Sequence, residues 1–285
     1  MAEDVAIMTI EAPAKVNLVL RILGKRPDGF HDLETLMVPI TLTDTLAVTV
    51  GVGSGVVLSC DDPAVPSDSS NLAHRAAVAF AEYTGRVFRT NIELKKTIPW
   101  GAGLGGGSSD AAAVLIALNH LLEAGLDEVE LVKIAASIGS DIPFFIRCEP
   151  SWCRGRGEVI ESASRIPDTD LLLIKPPFPV STAWAYQAWA AATGSNADVP
   201  GHLGVIKLTN DLEAPVFSKH LLLPVLKSWL LRQPGVSAAM MSGSGSTVFA
   251  VLNKKAQGLE ERVREEFGST MWTCLCRTLA NRPTI

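Results

Sequence analysis

The chain predicts an α+β fold in two domains, and three observations carry that prediction. Runs of β-branched and alternating residues crowd its first part, strand and helix patterns alternate in its second, and a segment rich in Gly, Arg, Ser and Pro, from Glu149 to Asp168, separates them. The crossing puts the division at 155/156, giving an N-terminal domain over residues 1–155 and a C-terminal domain over 156–285. With 285 residues, 47% of them hydrophobic, the chain has material for a sizeable core.

In order, Val5 to Glu11 and Val16 to Leu23 read as strands, followed by a turn at Arg26-Pro27-Asp28-Gly29 and a strand from Leu33 to Ile40. Thr45 to Val50 and Val56 to Cys60 form another strand pair. Ser69-Ser70-Asn71 opens a helix through Tyr83, with Leu72, Ala76, Ala79 and Phe80 at helical spacing. Asn91 to Lys95 alternates as a strand and leads into a glycine-rich loop. Helices follow over Ser109 to Glu123 and Asp127 to Ser137. Beyond the crossing come a strand at Leu171 to Lys175 and helices at Thr182 to Ala192, Leu212 to Ser218 and Leu222 to Arg232. Strands at Val236 to Met241 and Thr247 to Leu252 flank a second Gly/Ser loop, Ser242 to Ser246. A charged amphipathic helix, Lys254 to Phe267, and a strand, Met271 to Cys276, close the chain.

Composition narrows the function. The formal charge is −5 and the basic residues are scattered, which excludes a general nucleic-acid surface. Five cysteines with no CxxC pair indicate neither a zinc ribbon nor a disulfide framework; Cys274 and Cys276 alternate in a strand and read as core thiols. No leader pattern and no apolar run of about 20 residues is visible. The expectation is a soluble cytoplasmic enzyme with no membrane or nucleic-acid partner and no evident obligate protein partner.

The most informative stretch is Pro99-Trp100-Gly101-Ala102-Gly103-Leu104-Gly105-Gly106-Gly107-Ser108-Ser109-Asp110, with five glycines in seven positions before an Ala/Leu-rich helical run. Glycine lets backbone amides approach a ligand closely, and a helix N-terminus offers unpaired N–H donors with a partial positive charge. Together they make a phosphate cradle, with Ser108, Ser109 or Asp110 as the expected helix cap. Gly101, Gly103 and Gly106 also spell G-x-G-x-x-G. A dinucleotide fold, however, needs a buried strand running into the first glycine, and here Lys95, Lys96 and Pro99 precede it. A P-loop would end in Gly-Lys-Ser/Thr, which is absent. A ligand-free turn would order five glycines at a large entropic cost with nothing to offset it.

Three other segments are ambiguous singly. Lys15 and Asn17, in Pro13-Ala14-Lys15-Val16-Asn17, share one face of a strand, which suits a solvated face as well as a site. Asp141, in Gly139-Ser140-Asp141-Ile142-Pro143-Phe144-Phe145, suits a turn or helix cap as well as catalysis. In Asp28-Gly29-Phe30-His31, Phe30 suits the core and His31 the surface.

Together, in this order and with Ser242 to Phe249 and Thr209 to Glu213, these motifs resemble those of the GHMP kinases (galactose, homoserine, mevalonate and phosphomevalonate kinases) over roughly residues 8 to 278. The resemblance implies a ribosomal-S5-like N-terminal domain and a ferredoxin-like C-terminal domain with the active site between them. It implies ATP, as its Mg²⁺ complex, as phosphoryl donor. The Lys25 to His31 and Asn210 to Glu213 elements favour the branch that phosphorylates the 2-hydroxyl of 4-diphosphocytidyl-2-C-methyl-D-erythritol over homoserine or mevalonate kinases. An inactive binding protein on the same fold is disfavoured by the presence of Lys15, Asp141 and an uninterrupted loop.

By motif matching, Lys15 and Asp141 are the implied catalytic pair. Asn71, Leu72, Lys96, Pro99, Gly101, Ala102, Gly103, Leu104, Gly105, Gly106, Gly107, Ser108 and Ser109 are implied for the nucleotide. Asn17, Phe30, His31, Thr182 and Tyr186 are implied for the acceptor, with His31 on the cytosine edge and Phe30 and Tyr186 sandwiching the ring. Phe30 stands where the motif usually has Tyr, and Cys148, Trp152 and Cys153 depart from its usual small residues. The metal ligand is not implied, although Ser108 and Ser109 each offer an oxygen. An aspartate, with a reference pKa of about 3.9, is too weak to deprotonate an alcohol in advance. In a loose transition state the hydroxyl becomes acidic as bonding to phosphorus develops, so Asp141 is expected to orient it and accept its proton late.

Overall fold

Two long strands organise the first sheet: β1 (Ala6–Lys25) pairs antiparallel with β2 (His31–Gly51) along almost their whole length. The computed structural model describes residues 6–163, 166–191, 201–204, 206–253 and 256–280. Each long strand replaces two expected shorter ones. In β1 the break expected around residues 12–15 is a register shift between Pro13 and Lys15: Pro13 has no N–H for the ladder, and a bulge absorbs the defect without ending the strand.

β3 (Gly55–Cys60) and β4 (Arg89–Lys95) extend the sheet beyond β2, with α1 (Leu72–Thr84) crossing between them. α2 (Gly106–Leu121), α3 (Glu128–Ile138) and the short α4 (Ile142–Arg147) follow. Asp127 caps α3 through a capping box with Glu130. α4 was not expected, since six residues are too few to show a helical period. The expected crossing is largely a hairpin of β5 (Ser151–Gly155) and β6 (Val159–Ser162), paired with β2.

β7 (Asp170–Lys175) opens the second sheet. After α5 (Thr182–Ala191), the unexpected β8 (Gly201–Leu203) and β9 (Ile206–Asn210) return to the first sheet, where β9 runs parallel to β1. α6 (Glu213–Lys219), α7 (Leu222–Leu231), β10 (Val236–Met241), β11 (Val248–Leu252), α8 (Leu259–Phe267) and β12 (Trp272–Arg277) complete the fold. The second sheet has the antiparallel order β10-β11-β7-β12. Val5, Ala192 and Lys254, the expected ends of three elements, lie outside the described residues.

The core is layered. Helices α1 to α4 pack on one face of the first sheet through Phe80, Ala112, Leu115, Ile134 and Phe144. The two sheets meet through Val16, Leu18 and Ile40 against Leu171, Leu173, Met240 and Phe249. Leu172, Ile174, Ala239, Met241 and Ala250 face the opposite way, onto α5 to α8. These period-2 assignments along β7, β10 and β11 are those of a sheet covered on both faces. Cys276 is buried against the inter-sheet core and Cys274 half-buried beside it. The α+β class predicted from pattern is the one observed.

Candidate active site

The Gly-rich loop, the Ser242–Ser246 loop, β1 and the start of α4 converge on one cavity of about 650 Å³. Gly105 is the N-cap of α2, in a left-handed conformation (φ 74°) and with no side-chain cap bond. Neither Ser108, Ser109 nor Asp110 caps the helix: α2 already begins at Gly106, and Ser109 and Asp110 are buried inside it. A serine cap would occupy first-turn amides, whereas a glycine cap leaves them bare for an anion. Gly103 admits no side chain, since a Cβ there would stand 2.3 Å from the Ser242 carbonyl oxygen. That oxygen belongs to the second loop, which is tied to the first by Ser242 Oγ donating to Gly103 O (3.0 Å) and Thr247 N donating to Ala102 O (3.3 Å).

Lys15 is buried, 3% exposed, on β1. Its Nζ donates to Asn17 Oδ1 (2.6 Å) and Gly103 O (3.1 Å) and lies 4.0 Å from Asp141 Oδ2. An ammonium has three donors, so one N–H remains for the cavity. Burial pulls Lys15 down from the ordinary lysine range, against the attraction of Asp141. Asn17 has its orientation set from behind: Thr35 Oγ1 gives its proton to Val19 O (2.6 Å) and accepts from Asn17 Nδ2 (2.8 Å), which turns Oδ1 toward Lys15. Asp141 is the N-cap of α4 but makes no cap bond, which leaves its 41%-exposed carboxylate to the cavity.

A second end of the cavity is lined by Phe30, His31, Thr182 and Tyr186. His31 Nε2 is buried with no hydrogen-bond partner, and its ring stacks on Tyr186 at 5.4 Å. Tyr186 thus lies against His31, and the Phe30 ring carries the Arg156 guanidinium at 5.1 Å. Burial and the nearby Asp141 raise the Tyr186 phenol above its usual range. Thr182 Oγ1 and Ser244 Oγ are 2.9 Å apart, joining α5 to the second loop.

Leu72, Pro99, Trp100 and Gly107 also line the cavity. The cavity takes in Lys15, Asn17, Asp141 and every loop residue from Pro99 to Ser108, but not Ser109, Asn71 or Lys96. Asn71 caps α1, accepting from Ala73 N (2.9 Å) and donating to Pro66 O (2.7 Å). Lys96 lies under the loop, its side chain 6% exposed, bonded to Asp44 and to Asp110 Oδ2 (2.9 Å).

Sequence reasoning missed several supporting residues. Besides Thr35, Asn210 donates to Met241 O and Gly243 O (both 2.8 Å), and Glu213 accepts from Met241 N (2.9 Å) and Lys227 (2.6 Å). The Thr209 to Glu213 motif thus holds the second loop against β1. The available signal was the pairing of buried-type polar residues with apolar neighbours in that motif.

Residues 71–149 match the family described as GHMP kinases N terminal domain, and residues 200–269 match GHMP kinases C terminal. The 4-diphosphocytidyl-2-C-methyl-D-erythritol kinase of Methylacidiphilum infernorum is 47% identical over 247 residues, covering 86% of each chain. The enzyme of the same name from Geobacter metallireducens is 38% identical over 264 residues, covering 90% of this chain and 94% of that one. A crystal structure of 4-(cytidine 5'-diphospho)-2C-methyl-D-erythritol kinase superposes with TM-score 0.78 at 34% identity, over 95% of this chain and 99% of that one. A homoserine kinase from Cytophaga hutchinsonii shares the fold at 20% identity and TM-score 0.69, over 99% of this chain and 96% of that one. The chain belongs to the GHMP kinase family, in the branch of the 4-diphosphocytidyl-2-C-methyl-D-erythritol kinases.

Proposed function

We propose that this chain transfers the γ-phosphoryl group of ATP to the 2-hydroxyl of 4-diphosphocytidyl-2-C-methyl-D-erythritol. The observation that carries the reading is the Lys15–Asp141 pair, 4.0 Å apart, set between an amide-lined loop and an aromatic end whose histidine has an unpaired buried nitrogen. In this reading the first amides of α2 hold the donor's phosphates. Asp141 orients the acceptor hydroxyl and takes its proton as the bond to phosphorus forms. Lys15, steadied by Asn17 and Gly103, presents its third N–H to the charge on the transferring oxygens. His31 Nε2 reads the cytosine edge, with the faces of Phe30 and Tyr186 beside it.

Among the described residues no cluster of three or more His, Cys, Asp or Glu forms a metal cage. Hard oxygen donors do face the cavity, at Ser108 and Asp141, and they fit a Mg²⁺ carried mainly by the nucleotide, which would neutralise phosphate charge. Ser109, inside α2, does not line it. Residues 1–155 and 156–285 act as the two functional halves, joined by the β5–β6 hairpin: one brings the phosphate loop, Lys15 and Asp141, the other α5 and the Ser242–Ser246 loop. The reading asks for no partner beyond the two substrates. It places the enzyme in the cytoplasm, in keeping with five free cysteines and with no membrane-crossing helix among the described residues.

The test is ADP release, coupled to a reporter, with 4-diphosphocytidyl-2-C-methyl-D-erythritol, homoserine and mevalonate as separate acceptors. Turnover with the first alone supports the reading; turnover with either of the others, or with none, overturns it.

A further inference from the structure

The contact between the second loop and the Lys15 ammonium is set by a side chain outside the cavity. We infer that Asn210 is a positioning residue for phosphoryl transfer: through Gly243 it fixes the direction in which Lys15 presents its third N–H.

Asn210 ends β9 and is buried. Its Oδ1 accepts from Leu212 N (3.0 Å), which settles the orientation of the amide and turns both Nδ2 hydrogens onto Met241 O and Gly243 O (2.8 Å each). The same residue pairs with Leu20 of β1, and Asp211 N donates to Leu20 O (2.9 Å). One amide thus ties the second loop to the strand that carries Lys15 and Asn17.

Gly243 is where that loop meets the ammonium. It is left-handed (φ 55°), and a Cβ on it would stand 3.1 Å from Gly103 O and 3.3 Å from both Asn17 Oδ1 and Lys15 Nζ. Its backbone therefore packs against Lys15 and against both acceptors that Lys15 uses. Two N–H groups of the ammonium are taken, and the third faces the cavity while Gly243 keeps its place and its carbonyl stays on Asn210. Removing Nδ2 frees that buried carbonyl beside an ammonium, where a charge-assisted hydrogen bond to the third N–H becomes its best replacement. Here the inference rests on the proposed function, in which that N–H meets the transferring oxygens.

The test compares wild type, Asn210→Ala, Lys15→Met and the double variant by steady-state kinetics with ATP and 4-diphosphocytidyl-2-C-methyl-D-erythritol. Asn210→Ala should lower kcat about tenfold or more while both KM values stay within about threefold of wild type, because a small misplacement near the reacting atoms is felt in the transition state. In the Lys15→Met background the same substitution should lower kcat less than about threefold, since the group it acts through is gone. Equal losses in both backgrounds, a change in KM alone, or an unchanged kcat would overturn the inference. Lysine labelling by limiting acetic anhydride, read by peptide mass spectrometry, gives a second measure, with Lys96 as internal reference because the two side chains are 4% and 6% exposed. Labelling of Lys15 relative to Lys96 should rise about threefold or more in Asn210→Ala; an equal rise at both would mean general loosening and refute the positioning role. Should Asn210→Ala fail to fold, Gly243→Ala perturbs the same contact and takes its place, with the same expected and refuting results. Wild-type protein that phosphorylates no acceptor would count against the proposed function, while the labelling ratio, which needs no turnover, would still decide this inference.

Discussion

Asp110→Asn is expected to stabilise this protein at pH 8. The reason lies in the buried trio of Lys96, Asp44 and Asp110 beneath the phosphate loop, two carboxylates around one ammonium. They are unequally served. Asp44 accepts from Thr97 N (2.6 Å), Ile98 N (2.8 Å) and Lys96. Asp110 accepts from Lys96 alone through Oδ2, and its Oδ1 is buried without a partner. Burial is the main influence on Asp110; it and the repulsion of Asp44 outweigh the attraction of Lys96 and push its carboxyl from 3.8 to about 7.

Between pH 3.8 and about 7 the folded state therefore holds a proton that the unfolded state has lost. Stability is highest below that window, falls through it and is flat above, since the slope follows the difference in bound protons. The gap is on the order of a few kcal/mol at pH 8. Asparagine removes the second negative charge and keeps an oxygen for the Lys96 ammonium, whose attraction is already included in that gap. The net expectation is a gain of a few kcal/mol at pH 8, on the order of the gap itself, shrinking to less than half of that at pH 5. Urea unfolding of both proteins at the two pH values measures it. A variant less stable than wild type at pH 8, or a difference independent of pH, would refute the reasoning.

Four further outcomes follow from the geometry. Asp141→Asn should lower kcat by about 10²–10⁴ with little change in urea midpoint, because its side chain is 41% exposed and makes no cap bond; near-normal turnover would remove it from the chemistry. Lys15→Met should also depress kcat, and a rise in the KM for ATP alone would make Lys15 a binding residue. His31→Ala should raise KM for the cytidine substrate more than for ATP, and steady-state kinetics showing equal effects would argue against His31 as the base reader. Gly103→Ala should destabilise by roughly 2–4 kcal/mol and weaken ATP binding, because its Cβ meets the Ser242 carbonyl at 2.3 Å; an unchanged melting temperature would show that the two loops can part without cost.

Much of the site was legible because its chemistry sits in short, local patterns. Lys15 and Asn17 fall on one strand face by the period of two alone, and the glycine run announces a backbone cradle. What was hidden depends on partners far along the chain. Nothing near Lys96 reveals that Asp44 and Asp110 will enclose it, so a lysine beside a phosphate loop reads as a ligand contact. The helix cap was misplaced because Ser and Asp usually serve that purpose, whereas Gly105 leaves the amides free. The strands around Pro13 merged because a bulge and a break look alike in one dimension. β9 is short and takes its form from β1, which lies almost two hundred residues earlier, and β8 takes its form from β9.

The claim on which the account turns is that the ammonium of Lys15 and the carboxylate of Asp141 bracket a phosphoryl transfer to an alcohol. Phosphorus NMR of the wild-type protein with MgATP and 4-diphosphocytidyl-2-C-methyl-D-erythritol tests it most directly. The account predicts a new phosphate monoester signal growing in step with ADP. ADP with free phosphate and no monoester, or no change in either substrate, would contradict it.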